Sequence, residues 1–184
     1  RLRSWVLYGA PIDHVFHAGA AGFGQVVSYT EFPDVHCSNS CVDPAYFKSN
    51  ITLYTESQQR HTFFNAKLFI RPDGSIMNAP NSTEVIGDIH SLHTGAFRNL
   101  ADHPGLTKYW SVVKRHTDVC KDCEFRNMCV DSRPPLKRNS AEHYHASECN
   151  YNPYICKWKG EEGYRSLAEC GVVSNAEGFS IDHE

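Results

Sequence analysis

Long apolar runs are missing from this 184-residue chain. Nothing approaches the ~18 consecutive apolar residues that a membrane-spanning helix needs, so no membrane helix is expected. An excess of charge of one sign is missing too. Eighteen Lys and Arg stand against 21 Asp and Glu, a net charge of -3, which gives no reason to expect a nucleic-acid or anionic-membrane surface. There is no signal-peptide pattern, no internal repeat and no low-complexity tract. A dinucleotide fingerprint is absent: Gly19-Ala-Ala-Gly-Phe-Gly24 lacks its glycine spacing and opens into a strand, so it reads as a flexible loop. No nucleophile–His–acid arrangement stands out. The chain opens at Arg1 without Met, and the expectation is a fragment or processed chain lacking an N-terminal part.

What is present is ordinary globular composition, 41% hydrophobic and 21% charged. The length suits one domain or slightly more, with a core large enough not to lean on disulfides. The informative count is cysteine: Cys37, Cys41, Cys120, Cys123, Cys129, Cys149, Cys156 and Cys170. An even number invites a disulfide frame. Three of them cluster within ten residues, without a signal peptide, and clustered cysteines in a reducing compartment point to a metal site. The sequons at Asn50 and Asn81 would favour secretion, but such triplets arise often by chance.

Along the chain, 5–8, 23–31 and 51–55 read as short strands. The stretch 66–78 reads as a β-hairpin turning at Asp73-Gly74, with Leu68, Ile70 and Ile76 on one face. Residues 84–89 read as one more short extended piece. Leu106, Tyr109, Trp110 and Val113 recur at helical spacing and predict a helix over 105–116. The remainder reads as loops with a short helix around 161–169.

Cys120-Lys-Asp-Cys123-Glu-Phe-Arg-Asn-Met-Cys129 is a C-x2-C-x5-C arrangement. Two thiolates reach one centre from a single tight turn, a third approaches from another side, and one corner is left for a distant cysteine. The pattern suits tetrahedral zinc or an iron–sulfur cluster.

The stretch resembles the SPASM domain, the C-terminal extension of radical S-adenosylmethionine peptide-modifying enzymes, closest to the grasp-with-spasm maturases. The resemblance is carried by Gly74-Ser-Ile-Met-Asn-Ala-Pro80, Ile86-Gly-Asp-Ile89, Val119-Cys-Lys-Asp-Cys-Glu-Phe-Arg126 and Cys149-Asn-Tyr-Asn-Pro-Tyr154 with Trp158. It spans about 50–158 and implies an α+β fold: a SPASM-like hairpin with a helix and a Cys-rich loop region (51–158), preceded by the tail of a partial (β/α) barrel (1–50) and followed by a C-terminal tail (159–184). The family holds two auxiliary [4Fe-4S] clusters. The positions of the first are lost here: His61-Thr-Phe-Phe-Asn65 precedes the hairpin, Ala79 stands at the Gly-x4 position, and Arg133, beside Ser132, stands at the C-x3-C step. The positions of the second are all kept, as Cys120, Cys123, Cys129 and Cys149. Where the first cluster was, Phe63 or Phe64 is expected to be buried against Ala79, with Ser132 or Arg133 nearby and no metal.

The resemblance implies a SPASM-containing portion of a cytoplasmic maturase of ribosomally synthesised peptides, with a precursor peptide and an ATP-grasp ligase as partners and neither nucleic acid nor membrane. The catalytic C-x3-C-x2-C motif is lacking: Cys37-x3-Cys41 supplies one step, but Pro44 stands at the third position. S-adenosylmethionine would therefore bind only through residues outside this chain, and whether the chain belongs to an active enzyme stays open. Alternatives are a peptide-binding protein with structural zinc in the same four cysteines, or a catalytically dead partner subunit. Cys156 is the rival fourth ligand, disfavoured by spacing, and Cys170 reads as a free thiol. His145 could be a substitute ligand or could support one, whereas His90, His93 and His143 read as loop or surface residues. Lys121 and Arg126 either offset thiolate charge or are solvated. Tyr151, Tyr154 and Trp158 either cover the site or pack the core.

Overall fold

The computed structural model describes residues 4–17, 25–31, 42, 44, 47, 50–80, 82–92, 99–100 and 102–182. Cys37, Cys41, His93, Asn81 and the 19–24 glycine loop lie outside them. The chain forms two compact units, Arg1–Cys37 and Ser38–Glu184.

The first unit is a three-stranded sheet ordered β1-β3-β2. β1 (Ser4–Tyr8) runs parallel to β3 (Gln25–Tyr29), and β2 (His14–His17) pairs antiparallel on the other side of β3. β-branched and aromatic residues fill these strands. Ser28, buried, donates to the Ile12 carbonyl at 2.8 Å and closes the β1–β2 connection onto the middle strand. Among the described residues of this unit there is no helix.

The second unit mixes small sheets with few helices. Its apolar centre is the sheet β4-β5-β6, comprising β4 (Phe69–Ile70), β5 (Ser75–Met77) and β6 (Gly87–Asp88). The predicted hairpin is present, with Phe69 opposite Met77 and Ile70 opposite Ile76. Its turn needs glycine: Gly74 has φ +91°, and a Cβ there would lie 2.6 Å from the His90 ring. Ile76 is fully buried and packs with Leu100 and Leu106, flanked by Ile70, Ile86, Ile89, Leu92 and Trp110. Each such burial contributes roughly 1.5–3 kcal/mol. Leu68, expected on the same face, is exposed, because the ladder begins only at Phe69.

Two expected elements differ. Residues 51–55, read as a strand, open α1 (Ile51–Ser57). Asn50 decides this: its Oδ1 accepts the backbone N–H of Thr52 at 2.9 Å and Leu53 at 3.2 Å, capping a helix that its β-branched residues would not favour. The 105–116 helix is reduced to a single turn, α2 (Pro104–Thr107), after which i→i−3 turns lead to extended Val113 and a 3-10 turn at Lys114–His116. Val112, Val113 and Lys114 are buried in succession, which no one-sided helix can achieve. The predicted 161–169 helix is likewise only a 3-10 turn, Ala168–Cys170, stopped by Gly171 in the left-handed region.

Three hairpins complete the unit: β7 (Leu136–Lys137) with β8 (His143–Tyr144), β9 (Tyr151–Asn152) with β10 (Lys157–Trp158), and β11 (Val172–Ser174) with β12 (Phe179–Ile181). Buried Asp118 ties two of them to the cysteine loop. It accepts from Arg138 of the first at 2.5 Å and from Ser174 of the last at 3.2 Å. Among the described residues no helix is long and apolar enough to cross a membrane.

Candidate metal centre

The cysteine loop is a chain of tight turns. Asp118-Val119-Cys120 forms a γ-turn of the rare positive-φ type: Val119 has φ 64° and ψ −49°, and the Cys120 N–H donates to the Asp118 carbonyl at 2.7 Å. A 3-10 turn follows at Cys120–Asp122, and the Cys129 N–H then closes on the Phe125 carbonyl at 2.9 Å. From outside the loop, Thr62 donates its hydroxyl to the Cys129 carbonyl at 2.7 Å. Beside Cys149, Asn150 donates to the Val42 carbonyl at 2.6 Å.

These turns bring Cys120, Cys123, Cys129 and Cys149 to the wall of one cavity of about 230 Å³. Cys156 and Cys170 do not line it, and Cys156 is exposed. All six described cysteines are free thiols. Burial pushes the thiols of Cys123 and Cys129 up to about 12 and raises Cys120 and Cys149 as well, so all four are protonated at neutral pH while no metal is bound. Metal binding here must release protons.

Aromatic rings wall one side. Phe125 stacks on Phe47 with centroids 4.8 Å apart and meets Tyr151 at 5.0 Å, and Tyr151 in turn meets Trp158 at 4.7 Å. Tyr151 also donates its hydroxyl to Glu124. Tyr154, grouped with them from the sequence, instead donates to Asp122 at 2.8 Å and does not line the cavity. Leu167, Val172 and Ser174, from the segment read as a tail, also line the cavity.

The other side holds charges that the cysteine spacing gave no notice of. Asp131, 1% exposed, accepts from the Arg133 guanidinium through Nε at 3.1 Å and an Nη at 2.7 Å, while the other Nη donates to the Ser147 carbonyl at 2.6 Å. Lys114, also buried, lies 3.6 Å from Asp131, and among the described residues its ammonium finds no hydrogen-bond acceptor. Burial alone would lower the lysine, but Asp131, Cys129 and Cys120 outweigh it and raise its pKa. Burial would likewise raise Asp131, and Lys114 and Arg133 overcome it to hold the carboxyl far below the usual range. His145 turns Nδ1 to the Pro134 carbonyl at 3.4 Å and Nε2 towards Asp131 at 3.8 Å; burial, then Arg133, lower it to about 3, so it is neutral.

Arg133 thus faces the cysteines and Ser147. Where the resemblance would place the lost first-cluster positions, Phe64 and Ala79 are both buried, and Phe64 packs against His61, Phe63 and Tyr109 at 4.8–5.0 Å. Of the two loop cations, Arg126 lines the cavity, while Lys121 pairs with Asp118 at 3.3 Å and lies over the Phe179 ring.

Among the described residues, one set of three donor atoms lies within 4.8 Å of one another: Cys120, Asp131 and His145. The four cysteine sulfurs are not grouped so tightly. Compared with protein-family models, with curated proteins and with solved structures, the chain gives no match.

Proposed function

We propose that Cys120, Cys123, Cys129 and Cys149 hold one [4Fe-4S] cluster, and that the chain is the SPASM-like portion of a radical S-adenosylmethionine-type maturase acting on ribosomally made peptides. The observation that carries this reading is the convergence of three loop cysteines and a fourth from a separate segment on one partly open cavity. Its size favours a cluster over a single ion. A water molecule's share of volume is about 30 Å³, so about 230 Å³ admits a group of several atoms. A zinc ion with sulfurs at ~2.3 Å in a tetrahedron draws them to within ~4 Å of each other, closer than these four stand.

Charge supports the same donor set. With the thiols neutral, Lys114 and Arg133 outnumber Asp131 by one buried positive charge. Four thiolates on a cluster would reverse that excess. A divalent ion on Cys120, Asp131 and His145 is the reading that the close donor set favours. It is disfavoured because Asp131 is already engaged by Arg133, and both cations would repel the ion.

A fully cysteine-ligated cluster supplies one-electron transfer and bracing of the fold, with no open iron for a substrate. The chain's own residues then have distinct tasks. The γ-turn at Val119 presents Cys120, and Phe47, Phe125, Tyr151 and Trp158 wall one side of the cavity. The precursor peptide and an ATP-grasp ligase are the proposed partners, and a reducing cytoplasm the proposed compartment. S-adenosylmethionine is assigned no residue in this chain.

The test is anaerobic reconstitution of the full chain with iron and sulfide. The expected product is brown, with iron and sulfide in equal amounts and cluster stoichiometry. A colourless protein, with zinc or without metal, would refute the reading.

A further inference from the structure

We infer that Lys114 sets the reduction potential of the group held by the four cysteines, by directing its ammonium at their sulfurs; this rests on the cluster reading above. Lysine is rarely fully buried unless paired. Here the backbone leaves it no choice, because Val112, Val113 and Lys114 are consecutive and all buried, in the extended-to-3-10 step that ends at His116. Once inside, Lys114 is not equivalent to the charges nearest it, Asp131 and Arg133. Arg133 is spent: Nε and one Nη hold the Asp131 carboxylate, and the other Nη holds the Ser147 carbonyl. Asp131 is spent on Arg133 in turn, and also accepts the Arg133 backbone N–H at 3.0 Å. Lys114 stands 3.6 Å from that carboxylate, beyond hydrogen-bond range, and among the described residues its N–H donors have no acceptor while it lines the same cavity as the cysteines.

The other ionisable groups that face it do not supply the missing anion. His61 and His145 are buried and neutral, with burial the main cause in each. Cys120 and Cys129, neutral thiols while no metal is bound, are near enough to act on Lys114 once they are thiolates. What completes the site is therefore an anion with soft acceptor atoms, and thiolate and sulfide are such acceptors. Cluster potential responds to net charge and to hydrogen bonds on the sulfurs. Adding one electron makes the cluster more negative, so a buried ammonium beside it favours the reduced state more than the oxidised one. Arg133, already neutralised by Asp131, has a smaller effect.

The experiment compares the reconstituted full chain with Lys114→Met, a straight side chain of similar bulk. Iron and sulfide per chain are measured first, then the midpoint potential, by dithionite titration followed by electron paramagnetic resonance. The expected result is equal iron in both proteins and a midpoint at least ~59 mV more negative in the variant, a tenfold loss in the one-electron reduction equilibrium. An unchanged midpoint at equal iron overturns the inference and leaves the cluster reading standing. If the Met variant takes up no cluster, Lys114→Arg decides: restored uptake supports the need for a positive charge there, and continued failure with the charge retained overturns it. Absence of iron from the parent chain would overturn the cluster reading itself.

Discussion

Acidification from about pH 7.5 to about pH 5 should weaken the metal-free fold through His61. The residue is 3% exposed. Its Nδ1 accepts the backbone N–H groups of Phe63 at 3.2 Å and Phe64 at 3.3 Å, and its ring meets Phe64 edge-on at 4.8 Å. Protonating Nδ1 would set a donor against two donors. Burial first, and then the like charge of Lys114, lower its pKa from 6.5 to about 3. In the unfolded chain the ring titrates near 6.5. Between those two values the unfolded state binds one proton more than the folded state, so stability falls as pH falls. The contribution is fully present above 6.5, declines by ~1.4 kcal/mol per pH unit below it and levels off near 3, which makes the loss at pH 5 about 2 kcal/mol. His145, lowered to about 3 by burial and Arg133, behaves in the same way. Urea unfolding followed by tryptophan fluorescence, at both pH values, gives the measurement. The parent chain should lose the contributions of both histidines, and His61→Gln, which keeps an acceptor but cannot titrate, should lose about 2 kcal/mol less. Equal pH-dependent losses in the two proteins would refute the reasoning.

Parts of this architecture were legible because local chemistry and tertiary demand agree in them. The hairpin follows from Asp73-Gly74, since only the turn glycine accepts φ +91° against the His90 ring. Elsewhere the two disagree. The run Ile-Thr-Leu-Tyr-Thr at 51–55 reads as a strand by side-chain branching, yet one capping residue, Asn50, makes it helical. The stripe Leu106, Tyr109, Trp110 and Val113 has helical period, but burial of Val112 and Lys114 beside Val113 breaks it. The C-x2-C-x5-C spacing pointed to one shared site, and the three loop cysteines and Cys149 do line one cavity. The charges were not, because a lysine in Lys114-Arg-His116 and an aspartate after Cys129 look like solvated residues, as most such residues are. One local hint existed: Asp131-x-Arg133 directly follows the third cysteine, close enough in sequence for the bidentate pair that forms.

Cys129→Ser should remove most of the iron taken up on reconstitution and make residues 116–150 more sensitive to protease, because ligand binding would add to the buried Asp118 and Asp131 pairs that hold that loop-rich region; full iron with an unchanged digestion pattern would speak against the ligand assignment. Asp131→Ala should destabilise the metal-free chain in urea by about 3–5 kcal/mol, since it strands Lys114 and Arg133 as buried unpaired cations, whereas a loss under ~1 kcal/mol would mean that water reaches them. Val119 tests the backbone beneath the ligands. A β-branched residue at φ 64° is strained by roughly 1–3 kcal/mol, and the turn it forms directly precedes Cys120. Val119→Pro forces φ to about −65°, which cannot produce this turn, so Cys120 must leave the cavity wall and iron uptake should fail. Val119→Gly accepts the same φ without strain and should retain full uptake, its relief of strain offsetting the ~0.4–1 kcal/mol of extra freedom it gives the unfolded chain. Measured together by iron content and thermal melting, the pair separates conformation from side-chain packing. Uptake by the proline variant, or its loss in the glycine variant, would show that this turn does not position Cys120.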